Sequence, residues 1–430
     1  MDRVKKAISF NVDLDWRFLL LFTIYQFTVI FEDYEVFGYI FYYAIPLFII
    51  FINYKYCIQL ICVFLQKANR RLVLFLVLFF TITAVWPVMM GTYDFTALAN
   101  EPVNIVQKMI IQIFLIIVYC KYFKRKINIE EYLHYYILSC VLYVAGTIVM
   151  LLFPQIKMFF YEHVKENAHA RSVALQANYI TRYGWSGFSN FEHTMKCSIA
   201  VGFLGYLISK KEYSKTIIYY ILLIPCILGN MFYGRIGIVA SGFVVLIVLG
   251  YLIKTDKKYA IYLCAGSVVL TIGGLIAYNF SDSLKIWLDW IFVNFINMFN
   301  GGDFLSGSLG MVLKDMIFLP SAKTVLIGDG MYGSLATGYY MNTDVGFMRT
   351  VLFAGIPYLI VRYGLYYQVI RALSKRMEEP KKIALIITIV FIVGEIKGEI
   401  LFTFLSILFP LVILAISKEE HLFKMYNDNK

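Results

Sequence analysis

The sequence predicts an all-α polytopic membrane protein, and three observations carry that prediction. Hydrophobic residues make up 60% of the 430 and charged residues only 16%, whereas a soluble domain is nearer half apolar with about a quarter of its residues charged. The apolar residues gather in runs of roughly 15–25, the length that crosses a bilayer as a helix. The runs lack a strict period of two, so helices rather than a barrel must pair the backbone groups within lipid. The connections, finally, alternate between basic and non-basic. The net charge of +11 therefore reads as lysine and arginine collected on one membrane face, not as a nucleic-acid surface.

Taken in order, the chain supplies about twelve spans. The N-terminus MDRVKKAISF is basic and leads into span 1, about Phe18–Phe31. That run ends at Glu32-Asp33-Tyr34 rather than at a small-residue cleavage site, so it is read as retained. Span 2 covers about Val36–Ile52. The stretch 53–71 has an apolar middle too short to cross and basic flanks, which suits an interfacial helix. Spans 3 to 5 cover about Leu72–Met90, Ile105–Phe123 and Tyr132–Phe153. A medium extracytoplasmic loop, 154–193, precedes spans 6 to 9, about Thr194–Ile208, Thr216–Asn230, Ile236–Ile253 and Tyr259–Ala277. A long loop, 278–345, separates spans 9 and 10. Span 10 is about Val345–Tyr367. Span 11, about Ile383–Val393, is short and is expected to tilt or break around Gly394. Span 12 is about Ile400–Ile416.

Basic residues concentrate at the N-terminus, in 53–71, 121–131, 209–215, 254–258 and 371–382, and in the tail. The positive-inside rule places these segments and both termini in the cytoplasm and the long loop outside. The whole of 1–430 is expected to form one integral membrane domain without internal repeats. The seven cysteines lie in or beside apolar runs with no CxxC, which argues against a disulfide or zinc framework.

Long ordered loops are usually functional. Within this one, Ser283–Met298 is aromatic and amphipathic and suits a helix lying flat on the outer leaflet. Gly301-Gly302 breaks it, Leu309–Phe318 reads as a second short helix, and Gly328-Asp329-Gly330 as a tight turn exposing a carboxylate. Asn342-Thr343-Asp344 is a helix start. By this topology Arg171, Arg182, Arg235 and Arg349 lie on the outer side. Singly, each reads as an interface anchor whose head snorkels to water. Several on one face point to a shared anionic ligand, because guanidinium forks take phosphate oxygens in pairs. Tyr183 and Trp185 offer flat faces for sugars, or belong to an aromatic belt. His193 beside Glu192 is either a proton-transfer pair or a structural histidine, since adjacent helical residues diverge. Glu395, Lys397 and Glu399 either form an ion-paired cap or line a cavity.

In their order these features resemble the Wzy-type polysaccharide repeat-unit polymerases of the O-antigen polymerase and ligase superfamily. The likeness is carried by RYGWSGFSN (182–190) entering a span, by GRIG (234–237) within a hydrophobic hairpin, and by VLIGDGMYG (325–333) followed by TDVGFMRTVLFAGI (343–356). The number of spans and the position of the long loop agree with it. The resemblance implies a GT-C-like glycosyltransferase of the bacterial cytoplasmic (inner) membrane, acting in O-antigen lipopolysaccharide, capsule or exopolysaccharide biosynthesis. It would transfer an undecaprenyl-pyrophosphate-linked glycan chain onto a lipid-linked repeat unit at the outer face. Arg182, Arg235 and Arg349, with Arg171, would hold pyrophosphate. Asp344 or Asp329 would orient or deprotonate the acceptor hydroxyl, and the long loop would act as a lid.

Neither a metal nor a cofactor is expected, because fixed guanidinium groups can stabilise the charge developing on a departing pyrophosphate. The expected partners are the lipid-linked oligosaccharide, membrane lipids, a chain-length regulator and a flippase. Two departures stand out. Family members often carry an arginine in the loop helix where this chain has Lys314. The related ligases rely on a loop histidine, whereas the histidines here are His134, His163, His169, His193 and His421, which puts the ligase reading behind the polymerase. About twelve spans also suit a lipid-linked oligosaccharide flippase or transporter, though such folds usually show repeat-related halves.

Overall fold

A computed structural model describes residues 14–419, apart from 68–69, 126–127, 166–182, 189–190, 211–216, 281, 303–309, 334–337 and 378. Arg171 and Arg182 lie outside the described residues, as does the side chain of Tyr183. The helices in chain order are α1 Trp16–Gln26, α2 Glu32–Ile52, α3 Tyr54–Lys67, α4 Arg70–Met89, α5 Thr96–Lys121, α6 Ile129–Leu152, α7 Pro154–His163, α8 Phe191–Ile208, α9 Ile217–Tyr233, α10 Arg235–Thr255, α11 Lys257–Phe280, α12 Asp282–Phe299, α13 Met311–Met316, α14 Ala322–Ile327, α15 Gly346–Ser374, α16 Pro380–Lys397 and α17 Leu401–Glu419. Among the described residues the fold is all-α apart from one hairpin, β1 Tyr183–Gly184 against β2 Gly187–Phe188. Six helices among the described residues (α2, α4, α5, α6, α10 and α11) are long and apolar enough to cross a membrane, so this is a multi-pass membrane protein. Helix α9 and the Leu401–Ala415 part of α17 are apolar but shorter.

Two expectations about spans need correction. Span 1 does not run to Phe31: α1 has 11 residues and stops at Gln26. The buried Lys196 Nζ takes the Gln26 carbonyl at 2.6 Å and lies over the Phe27 ring, so a fixed cation sits at the helix C-terminus, where the dipole favours it. Span 11 does not break at Gly394. α16 continues to Lys397 and ends at Gly398. In the long loop, the second short helix shrinks to the single turn α13, and an unforeseen helix, α14, follows it.

The chain falls into two compact units. The first comprises Met1–Tyr39, Leu133–Phe304 and Leu385–Val390. Its centre is α8, whose residues from Thr194 to Ile208 are all buried. Apolar packing alone gives little discrimination between helices in lipid, and interhelical hydrogen bonds add it. Here Thr194 Oγ1 donates to Asn230 Oδ1 of α9 at 3.0 Å and Asn230 Nδ2 donates to Ser241 Oγ of α10 at 2.7 Å. Helix α12 is anchored rather than merely laid on lipid. Trp287 is buried and stacks on Phe232 at 4.9 Å.

The second unit comprises Ile40–Tyr132, Leu305–Ala384 and Phe391–Lys430. Its axis is α15, which packs on α4, α14 and α17. Helix α15 bends at Ala354-Gly355, where φ/ψ leave the helical region. Pro357 explains the bend: it has no N–H for the carbonyl of Phe353. The Gly328-Asp329-Gly330 turn supplies what is missing. Asp329 N donates to Leu352 O at 2.7 Å and Gly330 N to Phe353 O at 2.9 Å. Gly355 sits at φ 71°, ψ −169°, and a Cβ there would meet Leu326 O at 2.5 Å. Gly355→Ala should therefore destabilise the protein by about 1–3 kcal/mol from backbone strain alone. A detergent-solubilised thermal melt with an unchanged midpoint would show that the turn does not lean on this bend.

Candidate functional site

Ion-paired charged residues of the second unit gather between α5, the first two-thirds of α15 and the segment joining α16 to α17. Three layers can be separated. The deepest is Arg362, fully buried in α15. Its guanidinium bridges two carboxylates: Nε and Nη2 reach Glu101 Oε1 at 2.9 and 2.7 Å, and Nη1 and Nη2 reach Glu395 at 2.5 and 3.1 Å. Tyr358 donates to Glu101 Oε2, and Tyr363 and the Ile400 amide donate to the two Glu395 oxygens. Both carboxylates are satisfied on both oxygens, which is what a buried ionic group needs to persist.

The second layer is Arg349. Its Nη1 pairs with Glu399 Oε2 at 3.0 Å, and the two side chains are 7% and 5% exposed. The guanidinium lies over the ring of Tyr332 at 4.0 Å and that of Tyr339 at 4.6 Å, so aromatic faces meet the cation. Among the described residues neither Nε nor Nη2 of Arg349 has a hydrogen-bond partner, and neither does Glu399 Oε1. Nε and Nη2 form one edge of the guanidinium plane, the edge that grips a carboxylate or phosphate in bidentate fashion. Leaving each such donor buried and unpaired costs about 1–3 kcal/mol. The third layer, half-buried, is Lys397 Nζ on Asp344 Oδ2 at 2.7 Å.

The backbone sets this arrangement. Tyr332 follows the turn pinned into the α15 bend. Asp94, in the connection before α5, accepts from the N–H groups of Tyr332 and Gly333 at 2.6 and 2.8 Å. Burial pushes the Asp94 carboxyl up, but the Thr96 hydroxyl and the Tyr332 and Gly333 amides outweigh it and hold the carboxyl below its ordinary value. Gly346, at the start of α15, admits Glu395: a Cβ there would meet Glu395 Oε2 at 2.5 Å.

The residues predicted from sequence separate as follows. Arg349 is the buried centre just described. Asp344 does not cap α15, whose first turn has no side-chain cap; it is drawn instead to Lys397. Asp329 is not an exposed carboxylate, because Thr324 Oγ1 donates to its Oδ1 at 2.9 Å and Tyr340 OH to its Oδ2 at 3.3 Å. Glu395, Lys397 and Glu399 each pair with a charge on another element, Arg362, Asp344 and Arg349 in turn. In the first unit, Arg235 opens α10; its Nη1 donates to Trp290 O at 3.3 Å and its guanidinium lies over the Trp290 ring. Glu192 and His193 have separate partners. They diverge on α8, Glu192 to Lys196 at 3.0 Å and His193 Nε2 to Ser186 Oγ at 2.9 Å. Trp185 packs on Gly146 and lies tilted against Tyr143, which uses the ring in packing rather than presenting it freely.

Sequence reasoning missed Glu101, Arg362, Tyr332 and Tyr339. Arg362 had a signal: an arginine within an apolar helix is a functional or paired group by default. The two tyrosines had none short of the loop's fold. No known family model matches the sequence, and no curated protein matches it.

Proposed function

We propose that this protein is a membrane glycosyltransferase of the polysaccharide-polymerase type, transferring a glycan chain from undecaprenyl pyrophosphate onto a lipid-linked repeat unit. In this reading it has about twelve spans in a GT-C-like arrangement in the bacterial cytoplasmic membrane. Both termini are cytoplasmic, and the loop between α11 and α15 is outside. One observation carries the proposal: the unpartnered Nε–Nη2 edge of a buried, aromatic-clamped arginine at the start of a helix. That edge has the geometry and charge for phosphate oxygens. Fixed positive charge of this kind can stabilise the negative charge that grows on a departing pyrophosphate.

The resemblance in motif order supplies the substrate class. Arg235 remains a proposed pyrophosphate ligand within the first unit, together with Arg171 and Arg182 from outside the described residues. A chain-length regulator and a flippase are the proposed protein partners. Deleting the gene and resolving surface polysaccharide by gel tests the reading. The expected result is glycan with a single repeat unit in place of a ladder. Loss of all surface glycan, with lipid-linked intermediates retained inside, would point to a flippase instead.

A further inference from the structure

We propose that Glu399 is the catalytic base that takes the proton from the acceptor sugar hydroxyl, beside the Arg349 edge that holds the departing pyrophosphate. The inference rests on the glycosyltransferase reading above and adds a residue and a substrate feature to it. The atoms around Arg349 that lack a partner among the described residues are of three kinds, the third being the Tyr332 hydroxyl, which is close enough to Glu399 to lower its pKa. Nε and Nη2 are donors and call for an anion, whereas Glu399 Oε1 is an acceptor and calls for a hydrogen-bond donor. A phosphate lying next to a sugar hydroxyl satisfies these two kinds at once. A neutral sugar alone leaves the cation edge unpaired, and the Tyr332 hydroxyl beside Glu399 can shift between the carboxylate and the incoming sugar.

The other carboxylates of the second unit fit the role less well. Glu101 and Glu395 have both oxygens filled by Arg362, tyrosine hydroxyls and a backbone amide. Asp329 is held by Thr324 and Tyr340. Asp344 also has an oxygen without a partner among the described residues, but its cation is Lys397. Glu399 is the carboxylate in contact with the arginine assigned to the leaving group.

The step balances without a further reactant. The acceptor O–H breaks and its proton passes to Glu399 Oε1. The oxygen's electron pair forms the new bond to the anomeric carbon of the donor chain. The bond from that carbon to the pyrophosphate oxygen breaks, and its electron pair leaves with the pyrophosphate, facing Arg349 Nε and Nη2. Glu399 lies on the short connection between α16 and α17. Burial, with Glu101 nearby, raises its carboxyl to about 7 against the opposing pull of Arg349, Arg362 and the Tyr332 hydroxyl, and a base is most useful when its pKa lies near the working pH. The ionised form is the active one, so the rate should fall as pH drops below about 7.

The test uses the full-length protein in lipid nanodiscs with undecaprenyl-pyrophosphate-linked repeat units as substrate and undecaprenyl pyrophosphate as binding probe. Glu399→Gln should cut chain extension by about 100-fold or more while binding the probe at least as tightly as wild type. Wild type should lose rate roughly tenfold per pH unit on the acid side, and the residual rate of the variant should lack that limb. Glu399→Asp, which keeps the carboxylate, should restore part of the rate and the limb. Extension by Glu399→Gln at the wild-type rate, or an acid limb surviving in it, overturns the base assignment and leaves the Arg349 site standing. Failure of wild type to bind the probe more tightly than Arg349→Lys overturns the site itself, and this inference with it.

Discussion

Replacing Arg349 with lysine is expected to abolish long glycan chains while the protein still inserts and folds. The substitution keeps the positive charge over Tyr332 and opposite Glu399. It removes the planar fork, because an ammonium is a compact point charge that cannot offer two parallel donors. Hydrogen bonds to charged groups contribute about 1.5–3 kcal/mol each. Losing two from the transition state corresponds to roughly a 10²–10⁴-fold slower transfer. Arg349→Ala should be worse, since it also strands Glu399 in a buried position. The checks are a surface-polysaccharide gel in a complemented deletion strain and size-exclusion profiles of the tagged variants. A normal ladder from Arg349→Lys would remove the phosphate-ligand assignment.

The largest stability effect is expected at Arg362. Removing one partner from a buried ion pair leaves an uncompensated charge and typically costs about 3–5 kcal/mol. Arg362→Met strands two carboxylates, Glu101 and Glu395, so the upper end of that range is expected. The triple variant Glu101→Gln, Arg362→Met, Glu395→Gln should recover most of the loss. It removes all three charges and keeps acceptors for Tyr358 and Tyr363. Thermal unfolding in detergent separates these outcomes. If the single variant melts with wild type, the bridge contributes nothing to the fold. If the triple variant melts with the single one, geometry rather than charge is what Arg362 supplies.

The contrast between these two arginines shows how much could be read from the chain. Hydropathy and run length place most of the helices, because lipid leaves the backbone few alternatives. Arg349 is legible as a charge at the foot of an apolar run. What it touches is not: Tyr332 and Tyr339 come to it from a loop whose Gly328-Asp329-Gly330 turn is docked on the bend at Ala354-Gly355, caused by Pro357, 8 residues beyond Arg349. The same bend explains why Asp329 is misread. A Gly-Asp-Gly triplet suggests an exposed turn, and only the positions of Thr324, Tyr340 and the Leu352 and Phe353 carbonyls show that the turn is docked. Span 1 fails for a similar reason. Its apolar run continues beyond Gln26, but Lys196, 170 residues away, takes the last carbonyl.

The docked turn also changes what the long loop can do. A lid must swing, and swinging requires contacts that water can replace. The amides of Asp329 and Gly330 are bonded to carbonyls inside a bent apolar helix, one of which Pro357 has deprived of any helical donor. Withdrawing the turn would leave those carbonyls unsatisfied in apolar surroundings, at a cost of about 1–3 kcal/mol each. The segment from Gly328 to Gly333 is therefore a wedge built into the wall rather than a door hung from it. Tyr332, tied to that wedge and held through its amide by Asp94, keeps its ring fixed against Arg349.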